Sequence, residues 1–205
     1  MRAIALIITG VLFMGCQSQQ TNKEEISAQA ATGSANQEQA TTFVLPDGFM
    51  GSSPANEYVV YSDSVERHNG RNVSTIKAIN PVKFATIISS IKPEKCIGQR
   101  IRYTAWVRSK DVAKWAGLWL RVDPVDPAIN HNLGFDNMQG RPIKGTTDWT
   151  KCVIVLDVPE GAANIVYGAL LDGHGQVWVD SMNIEIVDKF TPRTDTFFSK
   201  KQKVL

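Results

Sequence analysis

The feature that most constrains this fold is a series of about nine short apolar segments, nearly all separated by turn-forming residues. Gly, Pro and Asn dominate the separations, as in Asn69-Gly70, Asn80-Pro81 and the Gly-rich connection Asp172–Gly175. Apolar segments flank the last of these on both sides, which predicts a hairpin there. The segments are Tyr58–Tyr61, Asn72–Ile79, Phe84–Ile91, Arg100–Arg108, Ala116–Val122, Leu133–Asp136, Thr150–Val158, Asn164–Leu171 and Gln176–Val187. No helical pattern lies between them. The spacing therefore predicts an all-β protein, a two-sheet antiparallel sandwich.

Two of these segments alternate apolar and polar residues with the period of a half-buried strand. Arg100–Arg108 places Ile101 and Val107 on one face, and Ala116–Val122 does the same with Leu118 and Leu120. We expect the two segments to form a hairpin that turns around residues 109–112 and places Trp106 and Trp119 on one face. The segment 153–156 is apolar on both faces, which predicts a central strand.

The first sixteen residues have the layout of a secretory signal. Arg2 precedes an apolar run that ends in Gly15-Cys16, and the run is too short to span a bilayer comfortably. A cysteine directly after a small residue resembles the lipobox of bacterial lipoproteins, except that Phe13 stands where the pattern usually has Leu. The resemblance implies cleavage after residue 15 and a lipid-modified Cys16. A plain signal peptide with an incidental cysteine is the alternative.

The chain divides into four parts on composition. After a signal peptide over residues 1–15, residues 16–42 comprise Cys16 and a stretch of Gln, Ser, Thr and Ala with almost no large apolar residue, which predicts a disordered tether. Residues 43–188 carry the strand pattern and form the predicted β-sandwich. Residues 189–205 form a basic C-terminal tail.

Charge and cysteine content limit the partners. A formal net charge of +2 with scattered basic residues gives no reason to expect a nucleic-acid partner. Besides Cys16, the chain has Cys96 and Cys152. In an exported protein these two either form a disulfide or remain buried thiols.

The sequence lacks the common catalytic motifs, so we expect a protein that is not an enzyme. It contains no G-x-S-x-G, no H-E-x-x-H and no P-loop, and its three histidines fall in predicted connections. A small hydrolase that uses Asp136 with His131 is the remaining enzymatic alternative.

Two features favour ligand binding. Trp106, Trp115 and Trp119 are interleaved with arginines, and indole rings stack on sugar rings while guanidinium groups donate to hydroxyls. The connection 133–149 concentrates hydrogen-bonding side chains. The candidate ligand contacts are Trp115, Trp119, Asp136, Asn137 and Arg141. The structural alternatives are that the tryptophans fill the core and that Arg141 pairs with Asp136.

Several motifs together resemble a domain appended to AraC-type bacterial transcriptional regulators. They are the runs 99–108, 115–122, 135–143 and 145–149 and Gly175–Asp180. No helix-turn-helix segment accompanies them, so DNA binding is not implied. More broadly, Trp178-Val179-Asp180 and the strand after it resemble carbohydrate-binding modules with the galactose-binding-like jelly-roll fold. That resemblance implies the jelly roll and, in some modules, a structural Ca²⁺, for which Glu57 and Asp180 are the nearest candidates.

The sequence thus predicts a lipid-anchored envelope protein whose β-sandwich binds a ligand without transforming it. We expect a carbohydrate or cell-wall glycan ligand, no cofactor apart from the calcium ion considered above, and anchoring in the outer membrane. The alternative is a structural lipoprotein or one that docks an envelope protein partner, which predicts an exposed apolar patch.

Overall fold

The computed structural model describes residues 45–195 except residues 55 and 130. These residues form strands and turns, and none of them belongs to a helix. The strands are β1 Met50–Ser52, β2 Tyr58–His68, β3 Arg71–Ala78, β4 Phe84–Ile91, β5 Arg100–Pro124, β6 Gly134–Asp136, β7 Ile143–Asp157, β8 Ala162–Asp172 and β9 Gln176–Val187. Within the described ranges, no helix with the length and apolar character needed to cross a membrane is found.

The strands pair antiparallel in two layers that share β5. The first half of β5 lies between β7 and β9, and β3 and β2 continue that layer. The second half of β5 lies between β8 and the short β6, and β4 and β1 continue the other layer. We call these the β9 layer and the β8 layer. The predicted all-β antiparallel architecture is confirmed.

The predicted hairpin between residues 100–108 and 116–122 is wrong, because both segments belong to the one long strand β5. Asp111 has a positive φ of 53°, and the register with β7 shifts on both sides of Val112. Such irregularities bend a strand without ending its pairing. The chain therefore passes from one layer to the other here, and Trp106 lies in the β9 layer while Trp119 lies in the β8 layer.

The core lies between the two layers, and the alternation predicted along β5 is confirmed. Ile101, Tyr103 and Val107 from its first half are at most 1% exposed, and Leu118 and Leu120 from its second half are fully buried. Because every second side chain of a strand points to the same face, Arg102, Trp106, Trp119 and Arg121 are directed to the outer faces of the two layers.

The segment 153–156 lies in β7, which is an edge strand and not the predicted central one. β7 pairs with β5 on one side only. On its other side Thr194 exchanges hydrogen bonds with Val155, and Arg141 donates to the Val153 carbonyl at 3.0 Å. The start of the C-terminal tail and one arginine thus satisfy edge groups that would otherwise invite pairing with another chain.

Of the two hairpins predicted from glycine, the one at Asn69-Gly70 is confirmed and the one at Asp172–Gly175 is wrong, because β8 and β9 pair with β5 in different layers and not with each other. Asn69 and Gly70 have φ values of 49° and 75° between β2 and β3, the left-handed pair that a tight hairpin requires. Gly175 has a φ of 120°, and a Cβ there would lie 2.7 Å from the Asp111 carbonyl oxygen. The Gly-rich connection therefore fits closely against the bend of β5.

The outer face of the β9 layer carries an aromatic and charged cluster. The His68 ring packs on Trp149 at 4.4 Å and on Trp106 at 5.4 Å between centroids, and its Nδ1 lies 2.8 Å from Asp180 Oδ2. Burial alone would raise the pKa of Asp180, but the hydrogen bonds from His68 and Ser181 outweigh it and lower that pKa. These contacts hold the end of β2 on the layer.

Cys96 and Cys152 are free thiols, so the disulfide alternative is not what the structure shows. Cys152 is 5% exposed, and burial raises the pKa of its thiol to about 11. It behaves as a small apolar core residue. The predicted signal, Cys16, the tether and residues 196–205 of the tail lie outside the described residues.

A candidate ligand-binding cleft on the outer face of the β8 layer

The outer face of the β8 layer is built around the second half of β5. Ala116, Leu118 and Leu120 point into the core, so the alternate residues Trp115, Gly117, Trp119 and Arg121 face outward. The sequence alternation alone therefore presents two indoles and a guanidinium on one surface.

The strands that pair with β5, and β4 beyond β8, place their own outward side chains beside those of β5. These side chains form rows across the strands. Trp115 lies opposite Asp172, which in turn lies opposite Phe84. Three further rows follow along the strands, and in the last of them Arg121 lies opposite Val166 on one side and Phe135 on the other. Six residues separate the first row from the last, which corresponds to about 20 Å of strand.

These rows line a cleft of about 350 Å³. Its aromatic residues come from three strands, its floor is aliphatic and its polar groups are spaced along its length. The lining residues are Phe84, Trp115, Trp119 and Phe135, then Ile88 and Leu170, then Ser52, Thr86, Arg121, Asn137 and Asp172. The volume and the mixture of apolar surface with a few polar groups are typical of small-molecule sites.

Trp119 is the most tightly packed aromatic side chain of the cleft. It is 8% exposed and clusters with Val166, Leu170, Ile88 and Trp115. A Cβ on Gly168 would lie 3.2 Å from its indole Nε1, so the ring lies over a residue without a side chain. Nε1 is buried without a hydrogen-bond partner among the described residues.

The charged groups of the cleft are paired within the protein. Arg121 donates from Nε and Nη2 to Asp123 at 2.7 and 3.1 Å, and Lys114 donates to Asp172 Oδ1 at 3.1 Å. Each pair has opposite charges, so the cleft carries no net charge from them. The geometry suits a ligand with flat apolar surfaces and neutral hydrogen-bonding groups.

The structure places three of the five predicted contact residues in the cleft. Trp115, Trp119 and Asn137 line it. Asn137 follows β6 directly, and its Oδ1 accepts a hydrogen bond from the Gln139 backbone at 3.1 Å, which orients the amide.

Asp136 and Arg141 do not line the cleft, so the structure does not support the prediction that they contact a ligand there. Asp136 lies opposite the core residue Leu120 and is 2% exposed. Arg141 donates to its two oxygens at 3.2 and 2.7 Å, and the Met138 backbone donates at 2.8 Å. The predicted structural alternative, an ion pair between the two, is what the structure shows.

Sequence reasoning missed most of the other lining residues. Arg121 and Phe135 stood inside the motifs quoted for the resemblance, but Phe84, Leu170 and Asp172 belong to strands far away in sequence. Only the pairing of β5 with β8, and of β8 with β4, brings them beside Trp115. The sequence alone could show only that these residues take outward positions in strands that alternate apolar and polar residues.

The residues considered for calcium do not fit that ion. Glu57 precedes β2 and accepts from the backbone amides of Val82 and Lys83, whereas Asp180 contacts His68 at the other end of β2, about 30 Å of strand away. Calcium needs six to eight converging oxygens. In the described part of the chain no three His, Cys, Asp or Glu residues group as metal ligands.

The structure does not support the alternative of a hydrolase that uses Asp136 with His131. The Asp136 carboxylate is buried and engaged with Arg141, and among the described residues no hydrogen bond joins it to the exposed His131. Both oxygens accept from the protein, which leaves this carboxylate unsuited to proton transfer with a substrate.

Sequence comparison finds one partial relative. A curated protein of Bacillus subtilis, the uncharacterized HTH-type transcriptional regulator YbfP, is 44% identical over 113 residues, which cover 55% of this chain and 37% of that protein. The chain therefore spans little more than a third of its relative. No family model matches the chain. The predicted resemblance to a domain of bacterial regulators agrees with this match.

Structure comparison finds carbohydrate-binding modules. The CBM22-1 and GH10 modules of xylanase 10B from Clostridium thermocellum, complexed with xylohexaose, match with a TM-score of 0.53 and 15% identity over 72% of this chain and 28% of theirs. The xylan-binding domain of family 22 matches with a TM-score of 0.52 and 11% identity over 69% of this chain and 88% of its own.

The fold is a jelly roll. The predicted galactose-binding-like class is confirmed by these matches. The enzymatically active domain of tailspike protein 4 from bacteriophage CBA120 also matches, with a TM-score of 0.50 and 12% identity over 69% of this chain and 20% of that one. At such identities the likeness establishes the architecture, and the function has to be argued from the cleft.

Proposed function

We propose that this domain binds an oligosaccharide in the cleft of the β8 layer and does not transform it. The single observation that carries the proposal is the placing of Trp115 and Trp119 in one cleft with Asn137, Arg121 and Asp172. Aromatic rings stack on the C–H faces of sugars, while amide, guanidinium and carboxylate groups bond to hydroxyls. The similarity in fold to modules described as xylan-binding supports this class of ligand.

The test is a calorimetric titration of the full chain with soluble oligosaccharides of several backbone types, repeated with Trp115→Ala. Loss of the ring should weaken binding about tenfold or more, since an aromatic contact contributes about 1 kcal/mol beyond the burial of its area. Trp149→Ala is the matched control, because it removes an indole from the outer face of the β9 layer. Equal affinity of Trp115→Ala and the unchanged protein would refute the placement of the site.

We propose that the domain is held at the outer membrane by lipid on Cys16, separated from it by the tether over residues 17–42. The supporting observation is the signal-like sequence that ends in Gly15-Cys16. Several acyl chains anchor a protein stably where a single chain would not.

The substitution Cys16→Ser tests this proposal. In the cell of origin, the unchanged chain should sediment with outer-membrane vesicles, and its N-terminal peptide should carry the mass of the lipid. The variant should move to the soluble fraction. If the unchanged chain is itself found in the soluble fraction, with an unmodified cysteine, the lipid anchor is refuted and the plain signal peptide is the remaining interpretation.

Docking of an envelope protein is the second candidate function. Val82, Phe84 and Ile79 are 72%, 58% and 56% exposed, and Phe84 lines one end of the cleft. Exposed apolar side chains of this kind are what this alternative requires. The saccharide titration separates the two candidates. A protein that binds no saccharide while Val82→Ser abolishes its co-purification with one defined envelope component would favour docking.

A further inference from the structure

The two ends of the cleft differ in the hydrogen bonds they offer. Towards one end, Arg121 uses Nε and Nη2 for Asp123. Further in along the cleft, Asn137, which follows Asp136 directly, uses Oδ1 for the Gln139 backbone. In the part of the chain that the structure describes, Nη1 of Arg121 and Nδ2 of Asn137 have no protein acceptor. The unused groups at this end are therefore donors, and a ligand must bring acceptors to them.

Apolar surface lies directly beside these donors. Phe135 lies opposite Arg121 in the register of β6 with β5, and Val166 lies opposite Arg121 on β8. Trp119 lies one row away on the same face. A ligand group that suits this end therefore combines a hydrogen-bond acceptor with a small apolar part.

Charge distinguishes between the acceptors that a sugar can carry. Asp123 lies 2.7 Å from Arg121 Nε and is itself partly exposed, so the positive charge of the guanidinium is already matched. A sugar carboxylate brought here would meet the Asp123 carboxylate as a like charge. A neutral carbonyl accepts the same hydrogen bonds without that repulsion.

The other end of the cleft offers an acceptor. Asp172 lies between Phe84 and Trp115, and its Oδ1 accepts from Lys114. Its Oδ2 has no protein donor among the described residues, so it can accept from a sugar hydroxyl. About 20 Å of strand separates the two ends, which is more than one sugar ring spans.

We propose that the ligand is a neutral oligosaccharide containing N-acetylated hexosamine, with the acetamido group at the Arg121–Asn137 end. Its carbonyl accepts from Arg121 Nη1 and Asn137 Nδ2, and its methyl packs on Phe135. Hydroxyls of a sugar further along the chain donate to Asp172. This inference rests on the proposed function and names the class of sugar.

The experiment compares two β-1,4-linked ligands of equal length, an oligomer of N-acetylglucosamine and an oligomer of glucose, by calorimetry with the full chain. The two differ only at C2 of each sugar, which carries an acetamido group in one and a hydroxyl in the other. The acetylated oligomer should bind about tenfold tighter or more, because the hydroxyl at the same position of the glucose oligomer supplies neither the carbonyl acceptor for the two donors nor the methyl group for Phe135. An oligomer of galacturonic acid, added as a third ligand, should bind more weakly than the acetylated one.

Three variants test whether Arg121 and Asn137 cause the preference for the acetylated oligomer. Asn137→Ala and Arg121→Met should each reduce the ratio of the two affinities, whereas Trp115→Ala should weaken both ligands and leave their ratio unchanged. Equal or tighter binding of the glucose oligomer, or tighter binding of the galacturonic acid oligomer, would overturn the acetamido assignment and leave the proposed function standing. If none of the three oligomers binds, this inference is refuted, and binding of any other oligosaccharide then decides the proposed function separately.

Discussion

Asp136 and Arg141 show how burial decides the role of a polar residue. Both were candidates for ligand contact because their side chains are chemically suited to it. The register of β6 with β5 turns the Asp136 carboxylate inward, where Arg141 and the Met138 amide satisfy it. Arg141 also donates to the Val153 carbonyl on the edge of β7. The pair therefore fastens the connection after β6 to the edge of the other layer.

Breaking this pair should destabilise the protein more than breaking a comparable exposed pair. Arg141→Met leaves a carboxylate that is 2% exposed without its counter-ion, and we expect a loss of about 2–3 kcal/mol, below the range for fully buried pairs because Arg141 is partly exposed. Arg121→Met is the control, since its partner Asp123 is 26% exposed and the expected loss is below about 1 kcal/mol.

The free energy of unfolding, measured by urea denaturation, checks the prediction for the two variants. Equal losses would mean that the protein gains no more from the Asp136–Arg141 pair than from a surface ion pair.

Strand β5 organises both layers, and the close approach of its neighbours determines where the cleft forms. Gly168 on β8 faces Trp119 on β5, and this absence of a side chain lets the indole lie down on the sheet. Gly117 on β5 is similarly covered by Met138, whose Cβ would be 2.9 Å from a new Cβ there. Glycines at these positions allow other groups to approach the strand backbone closely.

Gly168→Ala should destabilise the β8 layer strongly. Its Cβ would lie 1.7 Å from the Ile87 carbonyl oxygen and 3.2 Å from Trp119 Nε1, so the backbone of β4 would have to move. We expect a loss of about 2–3 kcal/mol or more on thermal or urea unfolding, with altered tryptophan fluorescence.

Gly134→Ala is the matched control, because the nearest atoms to its Cβ would be 3.5 Å away, an ordinary contact. If Gly134→Ala loses as much stability, the cause is the replacement of any strand glycine by alanine, and not the close contacts of Gly168 with Ile87 and Trp119.

At the scale of the whole molecule, several carboxylates hold distant segments together. Hydrogen bonds from the backbone amides of Lys83 and Val82 lower the pKa of Glu57. The Arg100 guanidinium, followed by Arg193, lowers the pKa of Asp157, which ties β5 and the C-terminal tail to β7. A lowered pKa means that the folded state favours the charged form more than the unfolded state does.

Stability should therefore decline in acid. The contribution of each such carboxylate is fully present above its ordinary pKa, near 4, and is lost as the pH falls through the lower pKa of the folded protein. Urea midpoints measured from pH 7 to pH 2 should be level at first and fall below about pH 4. Asp157→Asn should flatten part of that fall, and a midpoint independent of pH in both proteins would contradict the role of these groups.

The sequence by itself determined the class of the fold and most of the strands. Alternation and turn residues act over a few neighbours, so they could be interpreted without the partner strands, and Asn69-Gly70 and the core face of β5 were predicted correctly. The outward position of Trp119 also follows from this alternation. Asn137 was predicted from the polar side chains of the connection 133–149, and ligand contact by these residues stays a prediction.

Only the tertiary structure decided which residues share the cleft. Phe84 and Asp172 reach Trp115 through pairing of strands that lie far apart in sequence, and a shift of one residue in register would turn each of them to the other face. The bend at Asp111 carries β5 into the second layer, where a local pattern predicted a hairpin. Register and bending depend on the packing of the whole sandwich, so no local pattern in the sequence contains them.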